Sequence, residues 1–290
     1  MPSLKDLRVR IGSVKNTQQI TSTMKMVAAA KVRRARINCE EARPFAEKLG
    51  SVLANLAKGV GAGGPVLLRG RDKVKTVRVI VFGSDRGLCA GFNSNLCKVV
   101  EEQLEAFKAS GKKVQIVCVG RKVRDILKPV YGDAILETIE DIAQNLTYTA
   151  ASEIGTKQLA AFEDGTCDEV HISYNRFVSM MTQDPTSQQL IPFKAGALAD
   201  KEGAICAAIE YEPEESVILS ELLPRNLNTQ IFRAMLESAA SEHASRMTAM
   251  DNATRNAGEM IKDLSLQYNR TRQAVITTEL IEIIAGAEAV

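Results

Sequence analysis

Proline placement constrains this chain more than any other feature. The chain has 290 residues and eight prolines, yet none lies between Pro2 and Pro44 and none follows Pro224. Inside a helix, proline removes a hydrogen bond and clashes with the preceding turn, costing about 3 kcal/mol or more. Two terminal segments are therefore free of the strongest helix breaker, and both show helical periodicity. Ser3 is placed to cap the first, with Asp6 three residues on in the manner of a capping box. Leu4, Leu7, Ile11 and Val14 follow at steps of 3, 4 and 3, and Ile20, Met24 and Val27 continue the seam into Ala28, Ala29 and Ala30. The pattern predicts a helix over 3–57, roughly 80 Å at 1.5 Å per residue. The run from Gly59 to Gly70, with Gly61, Gly63, Gly64 and Pro65 inside it, reads as its end.

The last segment, about 225–286, predicts a second helix of roughly 90 Å. Met250, Thr254, Ala257, Ile261, Leu264, Tyr268, Thr271, Val275 and Thr278 alternate steps of 4 and 3, the 3.5-residue period of a left-handed coiled coil. Most of these positions are Thr, Ala or Tyr. Replacing a buried Leu by Ala typically costs about 2–5 kcal/mol, so the seam is weak for an autonomous zipper. It suits a helix pair that also leans on an external surface.

The middle follows another rule. Residues 76–82, 114–119 and 169–174 are rich in β-branched side chains, and helical patterns lie at about 92–109, 121–128 and 146–163. That alternation predicts an α/β domain with a mostly parallel sheet. Val178–Met181 and Leu190–Phe193, flanking Pro185, read as a hairpin added at one edge. The expected division is 1–58 as N-terminal coiled-coil helix, 59–75 as linker, 76–200 as the central domain, 201–224 as a connection and 225–290 as the C-terminal coiled-coil helix.

Charge and composition exclude several functions. The net charge is only +2, which does not suit a nucleic-acid binder. Residues 1–36, however, carry nine basic side chains and one acid, Asp6, leaving the remainder acidic by about 6. Such a field favours an anionic partner. The cluster Lys31, Arg33, Arg34 and Arg36 has no stacking aromatics beside it, which weighs against single-stranded nucleic acid. No apolar run is long enough to span a bilayer, and the first residues lack an apolar signal core. The basic start resembles a transit peptide, but the same residues carry the helical seam. Six cysteines without C-x-x-C spacing read as buried thiols, and His171 and His243 stand apart from any ligand cluster. The loop Gly83–Gly91 follows a strand and precedes a helix, where α/β proteins bind phosphates. It lacks both the Lys-Ser/Thr ending of a P-loop and the G-x-G-x-x-G order. A tight turn with local contacts from Asp85 and Arg86 fits it better. No Ser-His-Asp, Cys-His or paired-carboxylate constellation can be located, so neither catalytic residues nor a cofactor or metal site is expected.

Three stretches closely resemble the γ subunit of F-type ATP synthases: Ser13–Thr21 with Met24–Lys31, Ser84–Gly91, and Tyr268–Thr277 continuing to Ile283. The resemblance covers essentially the whole chain. It implies an antiparallel coiled coil of the terminal helices and a central Rossmann-like α/β domain. It further implies a non-catalytic central rotary shaft, turned by a membrane c ring, within a ring of three α and three catalytic β subunits, with ε beside its foot. Nucleic acid is not an expected partner, and the chain is not expected to span the membrane itself. The expected location is peripheral, on the cytoplasmic side of a bacterial inner membrane, or the matrix side for a processed mitochondrial protein. No cysteine-bearing regulatory insertion of the chloroplast type is visible. Carried over residue by residue, Met24, Lys25 and the run Lys31, Arg33, Arg34, Arg36 would face an acidic region of β. Arg246, Gln273 and Thr277 would meet a β-subunit loop, and Ile283, Ile284 and Val290 would lie in a hydrophobic sleeve. Two other readings fit parts of the pattern: a structural or DNA-binding protein with coiled-coil arms, which the basic first helix suits, and an α/β nucleotide-binding enzyme with helical extensions, which would need a phosphate-binding loop.

Overall fold

The computed structural model describes residues 3–60, 65–142, 146–193 and 215–288. The chain divides into two compact parts, one of residues 30–245 and one of residues 1–29 with 246–290. Helix α1 (Leu4–Val60) and the last helix, α6 (Glu215–Glu288), contribute residues to both.

The larger part is built on a five-stranded sheet. Its elements are the short helix α2 (Val66–Arg69), β1 (Thr76–Phe82), α3 (Phe92–Ala109), β2 (Lys113–Val119), α4 (Arg121–Tyr131), β3 (Ile135–Ile139), α5 (Tyr148–Glu163), β4 (Glu169–Phe177) and β5 (Gln183–Ile191). Strand order is β3-β2-β1-β4-β5, parallel except for β5, which is antiparallel to β4. Alternate residues of β1 face opposite layers, as the two-residue strand period requires. Val77, Val79 and Val81 pack with Leu96, Val100 and Leu104 of α3 and Val123 and Leu127 of α4. Ile80 and Phe82 pack with Ile154 and Phe162 of α5 and with Leu227, Ile231 and Met235 of α6. The last helix thus covers one sheet face alongside α5. Gly155 permits that approach: a Cβ there would stand 1.9 Å from Asn228 Oδ1.

Several expectations need correction. Strand β3 was missed, because Ile135–Ile139 follows α4 through a single 3-10 turn, Gly132–Ala134, with no breaker cluster to mark it. Val178–Met181 forms the turn of the edge hairpin and not a strand. Strand β5 starts at Gln183 and includes Pro185, which an edge strand tolerates. Helix α6 begins at Glu215, so Pro224 lies within it. Three buried leucines spaced about a turn apart, Leu219, Leu223 and Leu227, offset the proline. At about 1.5–3 kcal/mol for each buried side chain they outweigh one lost helical bond. Residues 201–214 of the expected connection lie outside the described residues.

In the smaller part, α1 and α6 pair antiparallel. Arg8 Nη2 donates to Tyr268 Oη at 2.8 Å, Thr254 Oγ1 donates to Thr21 Oγ1 at 2.8 Å, and Lys25 Nζ meets Asp251 Oδ1 at 2.6 Å. The Ser3–Asp6 capping box forms as expected: Ser3 Oγ donates to Asp6 Oδ2, and Asp6 N donates back to Ser3 Oγ. The seam of α1 runs through Leu7, Thr21 and Ala28, all buried. Ile20 and Val27 are instead 60% and 52% exposed. The steps from Val14 lead to Gln18 and Thr21, and the polar character of those two hid the register. On α6, Met250 and Ala257 are buried, and Thr254, Ile261, Leu264, Tyr268 and Thr271 are half-buried. Val275 and Thr278 are exposed, lying past the register partner of Leu4, the first residue of α1.

Cys39, Cys89, Cys97, Cys118 and Cys167 are buried free thiols, while Cys206 lies outside the described residues. Burial pushes the thiols of Cys39, Cys97 and Cys118 up to about 12 and raises that of Cys167. In folded protein at pH 8, Cys39, Cys97 and Cys118 should alkylate about a thousandfold more slowly than a free thiol, since only the thiolate reacts. Mass spectrometry after iodoacetamide treatment checks this, and labelling at the free-thiol rate would contradict it.

Candidate functional site

In a sheet of this order, ligands bind outside the carboxyl ends of the strands where the strand order reverses. Here that point lies between β1 and β4. The loop after β1 is bound into the fold. Asp85 Oδ1 accepts from Arg121 N at 3.2 Å and Oδ2 from Asp141 N at 3.0 Å, joining the chain after β1, β2 and β3. Ser84 N donates to Asn93 Oδ1, and Asn93 Nδ2 returns a bond to Ser84 Oγ at 2.8 Å. Gly83 is required, since a Cβ would stand 1.9 Å from Val123 Cγ2. The local-contact reading therefore describes Asp85, whose two oxygens are both taken by backbone donors.

The crevice itself holds α6. Ser238 Oγ donates to Phe82 O at the end of β1 at 3.2 Å, and Ser241 Oγ donates to Asn175 O in β4 at 2.9 Å. Between α6 and the loops after β1 and β2 there remains a cavity of about 20 Å³, lined in part by Phe82, Asp85, Gly120, Met235 and Glu242. That is space for about one water molecule.

Beside the crevice, α6 carries Glu237, whose side chain is 0% exposed. Arg43 of α1 approaches it as a fork, with Nε donating to Oε1 at 2.9 Å and Nη2 to Oε2 at 3.0 Å. Arg43 Nη2 also donates to Phe177 O at 2.8 Å, while Phe177 N donates to Glu237 Oε2 at 2.8 Å. One carboxylate thus fastens α1, α6 and the end of β4 together. Its hydrogen bonds raise the pKa of Arg43 above the ordinary guanidinium value. Val32, Ala35, Phe177, Ala240 and Ala244 pack around the joint.

The structure places the expected contact residues as follows. In the larger part, Lys31, Arg33, Arg34 and Arg36 are exposed, and Arg36 Nε pairs with Glu40 at 2.8 Å. In the smaller part, Met24 and Arg246 are half-buried, and Lys25 is drawn to Asp251, whose carboxyl it holds below its usual range. Gln273 and Thr277 are exposed one turn apart, with Thr277 Oγ1 donating to Gln273 O at 2.8 Å. Ile283 and Ile284 are 69% and 55% exposed. Val290 lies outside the described residues. Every residue from 272 to 285 is exposed, so the apolar side chains of this stretch of α6 have no cover among the described residues of their own part. Sequence reasoning missed Arg43, Glu237 and Asp251. The available signal was an acid set among alanines and serines, Leu236 to Ser241.

Among the described residues no group of His, Cys, Asp or Glu could hold a metal ion, and no helix is long and apolar enough to cross a membrane. The larger part is a doubly wound sheet whose switch-point crevice holds its own last helix, and the smaller part is a helix pair with exposed apolar residues. The chain belongs to the ATP synthase gamma chain family. The family model described as ATP synthase matches residues 3–290. The chain is 52% identical to the ATP synthase gamma chain of Fuscovulum blasticum and 48% identical to that of Sinorhizobium fredii, each alignment covering both chains completely. Among solved structures it resembles the central stalk and c-ring structure of the Tetrahymena thermophila mitochondrial ATP synthase. There the TM-score is 0.63 and the identity 26%, covering 81% of this chain and 99% of that one. A chain of the Euglena gracilis mitochondrial ATP synthase shares the fold, at TM-score 0.71 and 22% identity over 99% of this chain and 94% of that one.

Removing one partner of a buried ion pair leaves the other charge uncompensated, at about 3–5 kcal/mol. Arg43→Ala, which strands the wholly buried Glu237 carboxylate, should destabilise the chain by about that amount, read as a lower urea midpoint by circular dichroism. An unchanged midpoint would contradict the account of the joint.

Proposed function

We propose that this chain is the central shaft of a proton-translocating F-type ATP synthase, coupling rotation of a membrane c ring to the catalytic cycle of surrounding β subunits. The observation that carries the reading is the apolar end of α6. Val275, Ile276, Leu280, Ile281, Ile283 and Ile284 are all exposed on one helix. A contiguous apolar surface of this kind marks an interface, and apolar residues on several sides of one helix fit a partner that surrounds it.

The mechanism follows from symmetry. One asymmetric helix pair inside a threefold ring of α and β subunits presents a different face to each β. Each angle favours a different β conformation and hence a different nucleotide affinity. The coupling is reciprocal, so proton flow that turns the shaft drives synthesis, and hydrolysis turns the shaft in reverse. In this reading Met24, Lys25, Arg246, Gln273 and Thr277 meet β, and Ile283 and Ile284 turn within an apolar sleeve. In this reading the chain takes no catalytic part, and α6 lying over the switch-point crevice of its sheet supports that. The ε subunit and the c ring hold the α/β body. The location is peripheral, on the side of the coupling membrane where ATP is made. The five-domain division by residue range belongs to the same proposal, with the C-terminal helix lengthened to start at Glu215.

Lys31, Arg33, Arg34 and Arg36 give the shaft a guiding field. Exposed pairs are worth about 0–1 kcal/mol each, so they steer rotation without trapping one angle. The purified chain should show no ATPase activity, whereas ATPase should appear with α and β. Changing Arg33, Arg34 and Arg36 together to Glu should lower the protons pumped per ATP hydrolysed by about fivefold, as a few tenths of a kcal/mol at each of these sites imply. Fluorescence quenching in inverted vesicles measures pumping. Unchanged coupling in that variant would reject the guiding role.

A further inference from the structure

Resting on the shaft reading, we infer that the joint of Arg43, Glu237 and Phe177 is the element that carries torque between the α/β sheet and the two long helices. A load on the sheet acts on the helices as sliding and twisting. Hydrophobic attraction resists separation but has no direction. The packing of Val32 and Ala35 against Ala240 and Ala244, and of Leu227, Ile231 and Met235 against the sheet, interlocks and carries part of the load, but each contact in it is worth only about 0.1–0.2 kcal/mol and fixes no single register by itself. Directional stiffness has to come from hydrogen bonds, and those to ionised groups are about twice as strong as neutral ones.

The joint supplies four such contacts among three elements: two from Arg43 to Glu237, one from Arg43 to Phe177 O, and one from Phe177 N to Glu237. Glu237 is wholly buried, so water does not compete for the carboxylate. The arrangement closes on itself. Arg43 is held by both α6 and β4, and Phe177 offers both its backbone groups, so neither helix can move along the sheet without breaking charged bonds. Other ties from α6 to the strand ends, Ser238 to Phe82 O, Ser241 to Asn175 O and Ser245 to Gln183 Oε1, come from neutral hydroxyls. Arginine is required, because a lysine ammonium is a point charge without the planar fork that reaches both carboxylate oxygens. Arg43 and Glu237 are thus positioning residues, acting on the catalytic sites only through the shaft.

The test uses the assembled complex, with the α and β ring immobilised. A rod is fixed to the exposed face of α4 through Lys128→Cys, a position apart from the joint. The thermal angular variance of the rod is recorded with rotation paused by a non-hydrolysable ATP analogue. Arg43→Lys and Glu237→Gln should each widen the variance about twofold, as expected if about half of the directional bonds remain. Unloaded hydrolysis should stay near the wild-type rate. Leu219→Ala, which removes packing but no directional bond, should leave the variance unchanged. Wild-type variance in both joint variants, or an equal widening in Leu219→Ala, would overturn the inference. So would failure of both joint variants to assemble where Leu219→Ala assembles, because the joint would then be needed only for folding. Should the wild-type complex hydrolyse ATP without turning the rod, the shaft reading fails instead, which is a separate outcome.

Discussion

A carboxylate with no exposed surface sits on the longest helix of this protein, and much of the fold can be read as the answer to that problem. An isolated charge in a low-dielectric interior is prohibitive, so a buried carboxylate needs a cation and further donors. Glu237 draws them from two directions, the fork of Arg43 on α1 and the amide of Phe177 at the end of β4. Satisfying it brings three distant stretches of sequence to one point. It also sets the rotation of α6 about its own axis. That rotation turns Ser238 and Ser241 onto the strand ends and Leu227, Ile231 and Met235 onto the sheet. The crevice that a related fold would leave for a ligand is filled as a consequence.

The two parts of the molecule are stabilised by different means. The α/β part is satisfied internally: both sheet faces are covered, the loop after β1 is fastened by Asp85, and all five of the described thiols are buried within it. The smaller part has a narrow seam of Leu7, Thr21, Ala28, Met250 and Ala257, and it joins its helices by exposed pairs such as Lys25 with Asp251. Its apolar residues are spread outward, from Ile20 and Val27 to Ile283 and Ile284. Chains of the same family are subunits of ATP synthase, and a helix pair with small residues inside and large ones outside suits a life within other subunits.

What the sequence disclosed follows the range of each interaction. Local rules were readable. The proline gaps marked both long helices, β-branched runs marked β1, β2 and β4, and Ser3 with Asp6 marked the first cap. Helices α3, α4 and α5 fell close to their expected places. Features set by distant partners were hidden. Pro224 looked like a boundary, yet the burial of Leu219, Leu223 and Leu227 carries the helix through it. Ile20 and Val27 looked like seam residues because they are apolar, while Gln18 and Thr21 took the inner register. The Arg43–Glu237 pair spans 194 residues, and no local pattern reports it. The candidate contact residues came from resemblance alone. The structure shows which are exposed and adds that Lys25 is engaged within the helix pair.

The central claim is that the helix pair turns as a shaft inside a ring of partners. Its most direct measurement is the orientation of a reporter on the α/β part of this chain, in a complex whose α and β subunits are immobilised, during ATP hydrolysis. The account predicts rotation in one direction with one dwell for each β subunit. Full-rate hydrolysis with the reporter only fluctuating about a fixed angle would contradict it.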